Sequence, residues 1–127
     1  MNPDPCPPPT VLVVDDSTDH VELMLMLLRM EGYAAHGSAD GRCGLEKARR
    51  SLPDVVLLDF QMPQMTGPEV ASVIKAEPAT AHIKVIVQSA RSEEEVRRTY
   101  DGYDAFLRKP FTGDAMLEAV ASLIHNR

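Results

Sequence analysis

Residues 55–58 read Val-Val-Leu-Leu, a short apolar run that ends at Asp59. An unbroken apolar run with β-branched members is typical of a strand buried on both faces, as in a parallel sheet. Four further runs complete the predicted strands, and they lie at Val11–Val14, Tyr33–His36, Ile83–Val87 and Ala105–Leu107. The run at Tyr33–His36 is the weakest of the five, so we expect it at an edge of the sheet.

Helix patterns alternate with the strands, and each has a recognisable start. The residues predicted to open them are Ser17, either Ser38 or Asp40, Pro68 after Gly67, Ser92 with Glu95 as a capping box, and Thr112. The first helix is expected to end near Glu31, and the last carries Leu117, Val120 and Ile124 on one face. Because strand–helix–strand units cross over right-handedly, the predicted fold is a three-layer α/β sandwich around a parallel sheet.

The length and composition fit one compact domain. The chain has 127 residues, of which 44% are hydrophobic and 25% are charged. Residues 1–9 contain five prolines and no apolar periodicity, so they are predicted to form a disordered or extended lead-in. The globular domain is predicted to occupy residues 10–127.

The charge balance and the cysteine count exclude several classes of protein. Thirteen basic and nineteen acidic residues give a formal charge of −6, which argues against direct binding to nucleic acid or to anionic membranes. The longest apolar run, Leu23–Leu28, is too short to span a bilayer, and the amino terminus lacks the pattern of a secretion signal. Cys6 and Cys43 are expected to be free thiols, and the expected location is the cytoplasm.

Polar residues follow the predicted strands at matching positions. Asp15 and Asp16 follow the first strand, Asp59 the third, Ser89 the fourth and Lys109 the fifth. Each of them alone is commonplace, because an Asp often caps a helix, a Ser often lies in a turn and a Lys is usually solvated. All strand carboxyl ends of a parallel sheet meet at one edge, however, so the five side chains are expected to converge there.

Such a cluster needs positive charge. Two carboxylates about 4 Å apart repel each other by about 4 kcal/mol at an effective dielectric constant near 20. Lys109 supplies one positive charge, and an all-oxygen site suits Mg²⁺ or Mn²⁺ as a second source. A site of this kind can receive a phosphoryl group, whose oxygens the metal, Lys109 and the Ser89 hydroxyl would bind. Asp59 is the best nucleophile, and the product would be an aspartyl phosphate.

These residues resemble a known family. The motifs are Val-Asp-Asp at 14–16, Leu-Leu-Asp-Phe-Gln-Met-Pro at 57–63 with Gly67, Ser-Ala at 89–90 and Lys-Pro-Phe at 109–111. In this order they resemble the receiver domain of two-component response regulators, from Val11 to about Ile124. The resemblance implies a flavodoxin-like (βα)5 fold with strand order 2-1-3-4-5.

The resemblance also implies a role for each residue of the site. Asp59 would be the phosphoacceptor. Asp16, Asp59 and the backbone carbonyl of Gln61 would bind Mg²⁺, while Asp15 would hold metal-bound water. Ser89 and Lys109 would bind the phosphoryl oxygens. Four more implied features are Phe106 as an aromatic switch that responds to Ser89, a cis bond before Pro110, and Gln61 and Arg91 as residues that tune the lifetime of the phosphoryl group.

The implied partners are a sensor histidine kinase or a histidine phosphotransfer protein. These would dock on the first helix, where an exposed Met26 would serve as an apolar anchor. The implied output surface comprises helix 4, strand 5 and helix 5, and a homodimer on phosphorylation is one possible response. The downstream target, a separate protein or a fused output domain, stays open. The interval from Ser89 to Lys109 is shorter than usual, so helix 4 is expected to be short or shifted.

Three other functions compete with a phosphorylated switch, which would not be a turnover enzyme. An aspartate-nucleophile phosphatase usually carries an acid two residues after the nucleophile, and here that position is Gln61. A pseudo-receiver that only binds partners has little reason to keep three repelling carboxylates. A flavin module is disfavoured by the scarcity of aromatic residues. None of the four histidines, His20, His36, His82 and His125, is expected at the acidic edge.

Overall fold

The computed structural model describes residues 7–125 of the chain. Its five strands are β1 (Thr10–Val14), β2 (Ala34–Ser38), β3 (Val55–Asp59), β4 (Lys84–Ser89) and β5 (Ala105–Arg108). Its five helices are α1 (Thr18–Met30), α2 (Gly41–Ser51), α3 (Gly67–Ala76), α4 (Glu93–Thr99) and α5 (Gly113–His125). Strands and helices alternate along the whole described range, as the sequence predicts.

The strands form one parallel sheet in the order β2-β1-β3-β4-β5. The predicted strand order is confirmed, and β2, the weakest of the apolar runs, is an edge strand as expected. β1 and β3 lie in the middle of the sheet next to each other, so the residues that follow them are neighbours. β3 and β4 pair in a register that places Asp59 beside Gln88.

Both faces of the sheet are covered, which explains why the strands read as continuous apolar runs. Alternate residues of β1 belong to different cores, because Leu12 and Val14 face one side and Val11 and Val13 the other. The first core includes side chains of α2, α3 and α4, and the second includes side chains of α1 and α5. The result is the three-layer sandwich predicted from the sequence.

Four of the five helices begin at a predicted capping residue, whereas α3 begins at Gly67, one residue before the predicted Pro68, with Thr66 as its cap. Ser17 caps α1 and accepts a hydrogen bond from the His20 amide. Of the two candidates for α2, Asp40 is the cap, because Ser38 is the last residue of β2 and its hydroxyl donates to the Asp40 carbonyl. The other three caps are Thr66 with Glu69 in a capping box, Ser92, and Thr112, whose hydroxyl accepts from the Ala115 amide.

Strand ends and one helix face differ from the prediction. β3 and β4 extend to Asp59 and Ser89, so these two residues end their strands instead of following them. The buried stripe of α5 is Met116, Val120 and Ile124, at spacings of four, while Leu117 lies at the side of the stripe and is half-buried. α4 has only seven residues and one buried side chain, Val96, which agrees with the expected shortening.

Several remaining expectations concern the surface and the ends of the chain. Met26 on α1 is 52% exposed, which an apolar docking contact requires, and Cys43 is a free exposed thiol. Within residues 7–125, no helix combines the length and the apolar character that crossing a bilayer requires. Of the predicted lead-in, residues 1–6, including Cys6, lie outside the described residues, and residues 7–9 have no regular secondary structure.

Candidate functional site

Three carboxylates meet at the carboxyl edge of the sheet. Asp15 and Asp16 directly follow β1, and Asp59 ends the neighbouring β3. One oxygen of each lies within 4.8 Å of the others. Asp15 is 0% and Asp59 is 7% exposed, whereas Asp16 is exposed to solvent. The predicted convergence of the three acids is therefore present, with two of them buried in the protein.

Lys109 provides the cation of this cluster. Its ammonium nitrogen lies 3.3 Å from Oδ1 of Asp59 and 3.4 Å from Oδ2 of Asp15. The backbone holds the lysine in place, because its amide donates a 2.7 Å hydrogen bond to the Ser89 carbonyl. The peptide bond between Lys109 and Pro110 is cis, as the family resemblance implies.

The environment of Asp59 disfavours its charged form. Burial has the largest effect and the negative charge of Asp15 adds to it, so that the pKa of Asp59 rises from 3.8 to about 6. Lys109 opposes this shift by its charge and its hydrogen bond. Most Asp59 side chains are therefore ionised at neutral pH, although a small acidification would protonate them.

Gly67 allows the start of α3 to approach Asp59 closely. A Cβ atom at this position would lie 2.3 Å from the Asp59 carbonyl oxygen. The Gly67 amide donates a hydrogen bond to the Phe60 carbonyl, and the Phe60 amide donates to the Gln88 carbonyl. Both hydrogen bonds hold Phe60, the residue directly after Asp59. A side chain at residue 67 would displace the backbone that carries the acid.

The other predicted site residues lie around the cluster at different depths. Ser89 is buried, and its hydroxyl accepts a hydrogen bond from the Arg91 amide. The guanidinium of Arg91 lies 6.0 Å from the centre of the Phe60 ring, and both Arg91 and Gln61 are exposed. Phe106 is half-buried beside Tyr103, with 6.1 Å between the ring centres.

The expectation that no histidine lies at the acidic edge is wrong. His20 lies in the first turn of α1, and its Nε2 atom is 3.7 Å from Oδ2 of Asp15. The same atom is 3.3 Å from Oε1 of Gln88, and Gln88 Nε2 is 3.5 Å from Asp15 Oδ2. His20 is only five residues after Asp15, at the start of the helix that begins at this edge.

Sequence reasoning also missed Gln88, although a signal was available. Residues alternate between the faces of a strand, so Gln88 had to share the face of Ile86, which packs in the core with α1 and α5. Asp15 shares that face, because it continues the alternation of Val11 and Val13 in β1, so the pattern places both polar residues on one face at the carboxyl edge of the sheet. The apolar run predicts a strand that ends at Val87, whereas β4 continues through Gln88 to Ser89.

The chemistry of the donor set fits a divalent cation. Carboxylate oxygens are the ligands that Mg²⁺ prefers, and the exposed Asp16 leaves one side of the cluster open to solvent. One lysine cannot balance three carboxylates, so a further positive charge would relieve their mutual repulsion. Asp59 has one oxygen next to Lys109, and its carboxylate can act as a nucleophile when it is ionised.

The comparison with known proteins agrees with this geometry. A family model described as the response regulator receiver domain matches residues 11–121. The chain is 32% identical over 117 residues to the probable transcriptional regulatory protein TcrX of Mycobacterium tuberculosis, which covers 92% of this chain and 50% of TcrX. It is 30% identical over 121 residues to the polar-differentiation response regulator DivK of Brucella anthropi, which covers 92% of this chain and 97% of DivK.

The fold has solved counterparts as well. The chemotaxis response regulator CheY4 of Vibrio cholerae matches with a TM-score of 0.85 and 27% sequence identity, over 91% of this chain and 98% of that one. The chain spans about half the length of TcrX, and it matches nearly the full length of DivK and of the CheY4 structure. The chain belongs to the family of receiver domains of two-component response regulators.

Proposed function

We propose that this receiver domain accepts a phosphoryl group on Asp59 in a Mg²⁺-dependent reaction and thereby changes the surface it offers to a partner. The observation that carries the proposal is the position of Lys109, whose ammonium lies between the carboxylates of Asp59 and Asp15. A cation in that position offsets the negative charge of the two carboxylates before the reaction. It can also stabilise the charge on a transferred phosphoryl group.

The candidate metal ligands are Asp16, Asp59 and the backbone carbonyl of Gln61, with Asp15 holding metal-bound water. Receiver domains generally bind Mg²⁺ at an acidic pocket, and the three clustered carboxylates have the chemistry that such an ion requires. A bound Mg²⁺ ion supplies positive charge to the phosphoryl oxygens. Mn²⁺ is the expected substitute, because it accepts the same oxygen ligands.

The chemical step needs an ionised Asp59. One carboxylate oxygen attacks the phosphorus of a phosphohistidine or of a small acyl phosphate. The bond from phosphorus to the donor atom breaks, and the donor leaves with the electron pair. Lys109 and the Ser89 hydroxyl then bind phosphoryl oxygens of the aspartyl phosphate. Since the pKa of Asp59 is about 6, the nucleophilic form predominates at neutral pH.

Phosphorylation would shift an equilibrium between two conformations of α4, β5 and α5. Ser89 would turn toward the phosphoryl group, and the ring of Phe106 would turn inward. The half-buried position of Phe106 supports this role, because the ring has both an inner and an outer environment. The exposed side chains of Gln61 and Arg91 would control how easily water reaches the phosphoryl group.

Receiver domains interact with histidine kinases and with output partners. We propose that a kinase or a histidine phosphotransfer protein docks on α1 with Met26 as an apolar contact, and that a homodimer is one response to phosphorylation. The domain assists its own phosphorylation and dephosphorylation without turning over a separate substrate. The cytoplasm is the proposed location.

Incubation with a small acyl phosphate and Mg²⁺, followed by intact mass measurement, tests the proposal. We expect one phosphoryl group per chain, stable in acid and released by base or hydroxylamine. Asp59→Asn is expected to abolish the label, whereas Asp101→Asn, a change at an exposed acid, is expected to keep it. The absence of any label would favour a pseudo-receiver. Continued turnover of a phosphomonoester would favour a phosphatase.

A further inference from the structure

Gln88 is a fully buried polar side chain in an otherwise apolar strand. It is 0% exposed, and the three residues before it in β4, Val85, Ile86 and Val87, belong to the two hydrophobic cores. Burial of an amide without hydrogen bonds destabilises a folded protein. A buried glutamine at this position therefore needs polar partners, and the two that its side chain has among residues 7–125 lie at the acidic edge.

The contacts of Gln88 fix the orientation of its amide. Its Nε2 atom lies 3.5 Å from Oδ2 of Asp15, and its Oε1 atom lies 3.3 Å from Nε2 of His20. An ionised carboxylate can only accept hydrogen bonds, so the amide NH₂ must face Asp15. The amide oxygen then faces His20, whose Nε2 atom must carry the hydrogen. A directed chain of donors runs from His20 through Gln88 to Asp15.

Three nitrogen groups surround one carboxylate oxygen of Asp15. Oδ2 lies near Lys109, Gln88 and His20, at 3.4, 3.5 and 3.7 Å. The other oxygen, Oδ1, accepts a 2.9 Å hydrogen bond from the Ser17 amide. Lys109 is shared with Asp59, at 3.3 Å, whereas the hydrogen bonds of the Gln88 amide within residues 7–125 go to Asp15 and His20 and not to Asp59.

This difference gives Gln88 a task that Lys109 cannot perform alone. In the proposed function, Lys109 pairs with the phosphoryl group on Asp59, which draws its charge away from Asp15. The Gln88 amide can keep its hydrogen bond throughout, because it carries no net charge and is enclosed by the core. Hydrogen bonds to the groups that surround a metal orient them and raise its affinity.

We propose that Gln88 and His20 are positioning residues of this site. Gln88 holds the Asp15 carboxylate in the orientation in which it can hold metal-bound water. His20 holds the Gln88 amide with its NH₂ group toward Asp15. The inference rests on the proposed function, because it assigns further residues to the same metal site. His20 acts through Gln88, because its Nε2 atom is within hydrogen-bond distance of Gln88 Oε1, at 3.3 Å, but not of Asp15 Oδ2, at 3.7 Å.

Gln88→Met is the main test variant. Methionine has a similar length and volume, so it fills the same space without the amide. Isothermal titration calorimetry with Mg²⁺ alone measures the affinity, and thermal unfolding without metal reports on the fold. We expect Gln88→Met to weaken Mg²⁺ binding about three- to tenfold, below the roughly 10- to 100-fold loss typical for such partners, because the bond to Asp15 is long.

His20→Ala is the second test variant. The His20 side chain is 29% exposed, so we expect the variant to fold even where Gln88→Met does not. We expect it to weaken Mg²⁺ binding about two- to threefold in the natural background. In the Gln88→Met background we expect no additional loss, since residues that act as a unit are not additive. His82→Ala, at an exposed histidine before the opposite end of β4, is the matched control and is expected to bind Mg²⁺ normally.

A nitrogen-15 spectrum of the histidine rings gives a readout independent of affinity. We expect His20 to carry its hydrogen on Nε2 in the natural chain and to lose this preference in Gln88→Met. Two results would overturn the inference. One is Mg²⁺ binding by folded Gln88→Met that equals that of the natural chain, and the other is an equal effect of His20→Ala in both backgrounds. A natural chain that binds no Mg²⁺ would instead overturn the proposed function itself.

Discussion

Lys109 reaches Asp59 across an intervening strand. Asp59 ends β3 and Lys109 follows β5, while β4 lies between these two strands in the sheet. The ammonium nitrogen nevertheless lies 3.3 Å from Oδ1 of Asp59. The amide of Lys109 is bound to the carbonyl of Ser89 at the end of β4, so the side chain extends over that strand toward the acids. The positive charge is thereby built into the middle of the acidic edge.

Replacement of Lys109 is expected to raise the pKa of Asp59 further. Lys109 is the group that opposes the effects of burial and of Asp15, so Lys109→Met should bring the pKa of Asp59 above its value of about 6. A titration of the Asp59 carboxyl carbon by NMR, without metal, measures this value. Lys75→Met, which removes the partner of Asp104 elsewhere on the surface, is the control and should leave Asp59 unchanged. An unchanged pKa in Lys109→Met would contradict the account.

Asp59→Asn is expected to stabilise the protein at neutral pH. Because the folded state holds the Asp59 proton to about pH 6 and the unfolded state releases it near pH 3.8, ionisation of Asp59 lowers stability as the pH rises through this interval. At pH 7 the gain in unfolding free energy should be about 1–3 kcal/mol, allowing for partial solvent screening. The gain should vanish as the pH falls toward 4. Urea unfolding at several pH values measures it.

The control for that experiment is Asp101→Asn, which changes an exposed acid between α4 and β5. Its effect on stability should be small, and it should not depend on pH in the interval between the two pKa values. A gain at Asp59→Asn that stays constant down to pH 4 would show that the charge of Asp59 is not the cause.

Mg²⁺ is expected to stabilise the folded chain through Asp16. A ligand that binds only the folded state adds about 2.7 kcal/mol at a concentration one hundred times its dissociation constant. Calorimetric unfolding with and without Mg²⁺ should therefore show a higher Tm with the metal. Asp16→Asn should remove most of this difference, whereas Asp19→Asn, three residues further in the first turn of α1, should retain it. Equal responses of the two variants would exclude Asp16 as a ligand.

Tyr103→Phe is expected to loosen α4. The Tyr103 hydroxyl donates a 2.8 Å hydrogen bond to Glu93 and accepts one from Arg97, so it ties both ends of this short helix to the chain before β5. With Val96 as the helix's one buried side chain, loss of the hydroxyl should cost about 0.5–1.5 kcal/mol and speed amide exchange in α4. Hydrogen-exchange mass spectrometry measures the change.

Arg98→Ala is the matched control for α4. It removes an ion pair with Glu94 whose two side chains are both exposed, and such pairs contribute little. Amide exchange in α4 should therefore stay close to that of the natural chain. If Arg98→Ala and Tyr103→Phe accelerate exchange equally, the Tyr103 hydroxyl has no special part in holding the helix.

The order of the elements was predictable because local patterns and the fold agree. Strands buried on both faces read as apolar runs, and helix starts carry side chains that accept amide hydrogens, as Ser17 and Thr66 do. The convergence of Asp15, Asp59 and Lys109 was predictable for a related reason, since parallel strands place their carboxyl ends at one edge. Boundaries were less certain, because the apolar signal ends before the polar residues that still pair in β3 and β4.

The contacts of His20 and Gln88 depend on tertiary packing that the pattern does not contain. Ser17 predicts where α1 begins, but the angle at which α1 crosses the sheet decides whether its first turn contacts β4. Strand alternation predicts the face of the sheet on which the Gln88 side chain lies. The orientation of its amide, however, follows only from the positions of Asp15 and His20. A histidine near an acidic edge is therefore best judged from the structure of the helix that carries it.

The most direct test of the central claim is a crystal structure of the chain grown with Mg²⁺ and beryllium fluoride, a mimic of the phosphoryl group. The account predicts beryllium bonded to an oxygen of Asp59, Mg²⁺ bound by Asp16, Asp59 and the Gln61 carbonyl, and the Lys109 ammonium against the fluorides. Beryllium fluoride at another residue, or Mg²⁺ bound away from Asp16 and Asp59, would contradict it.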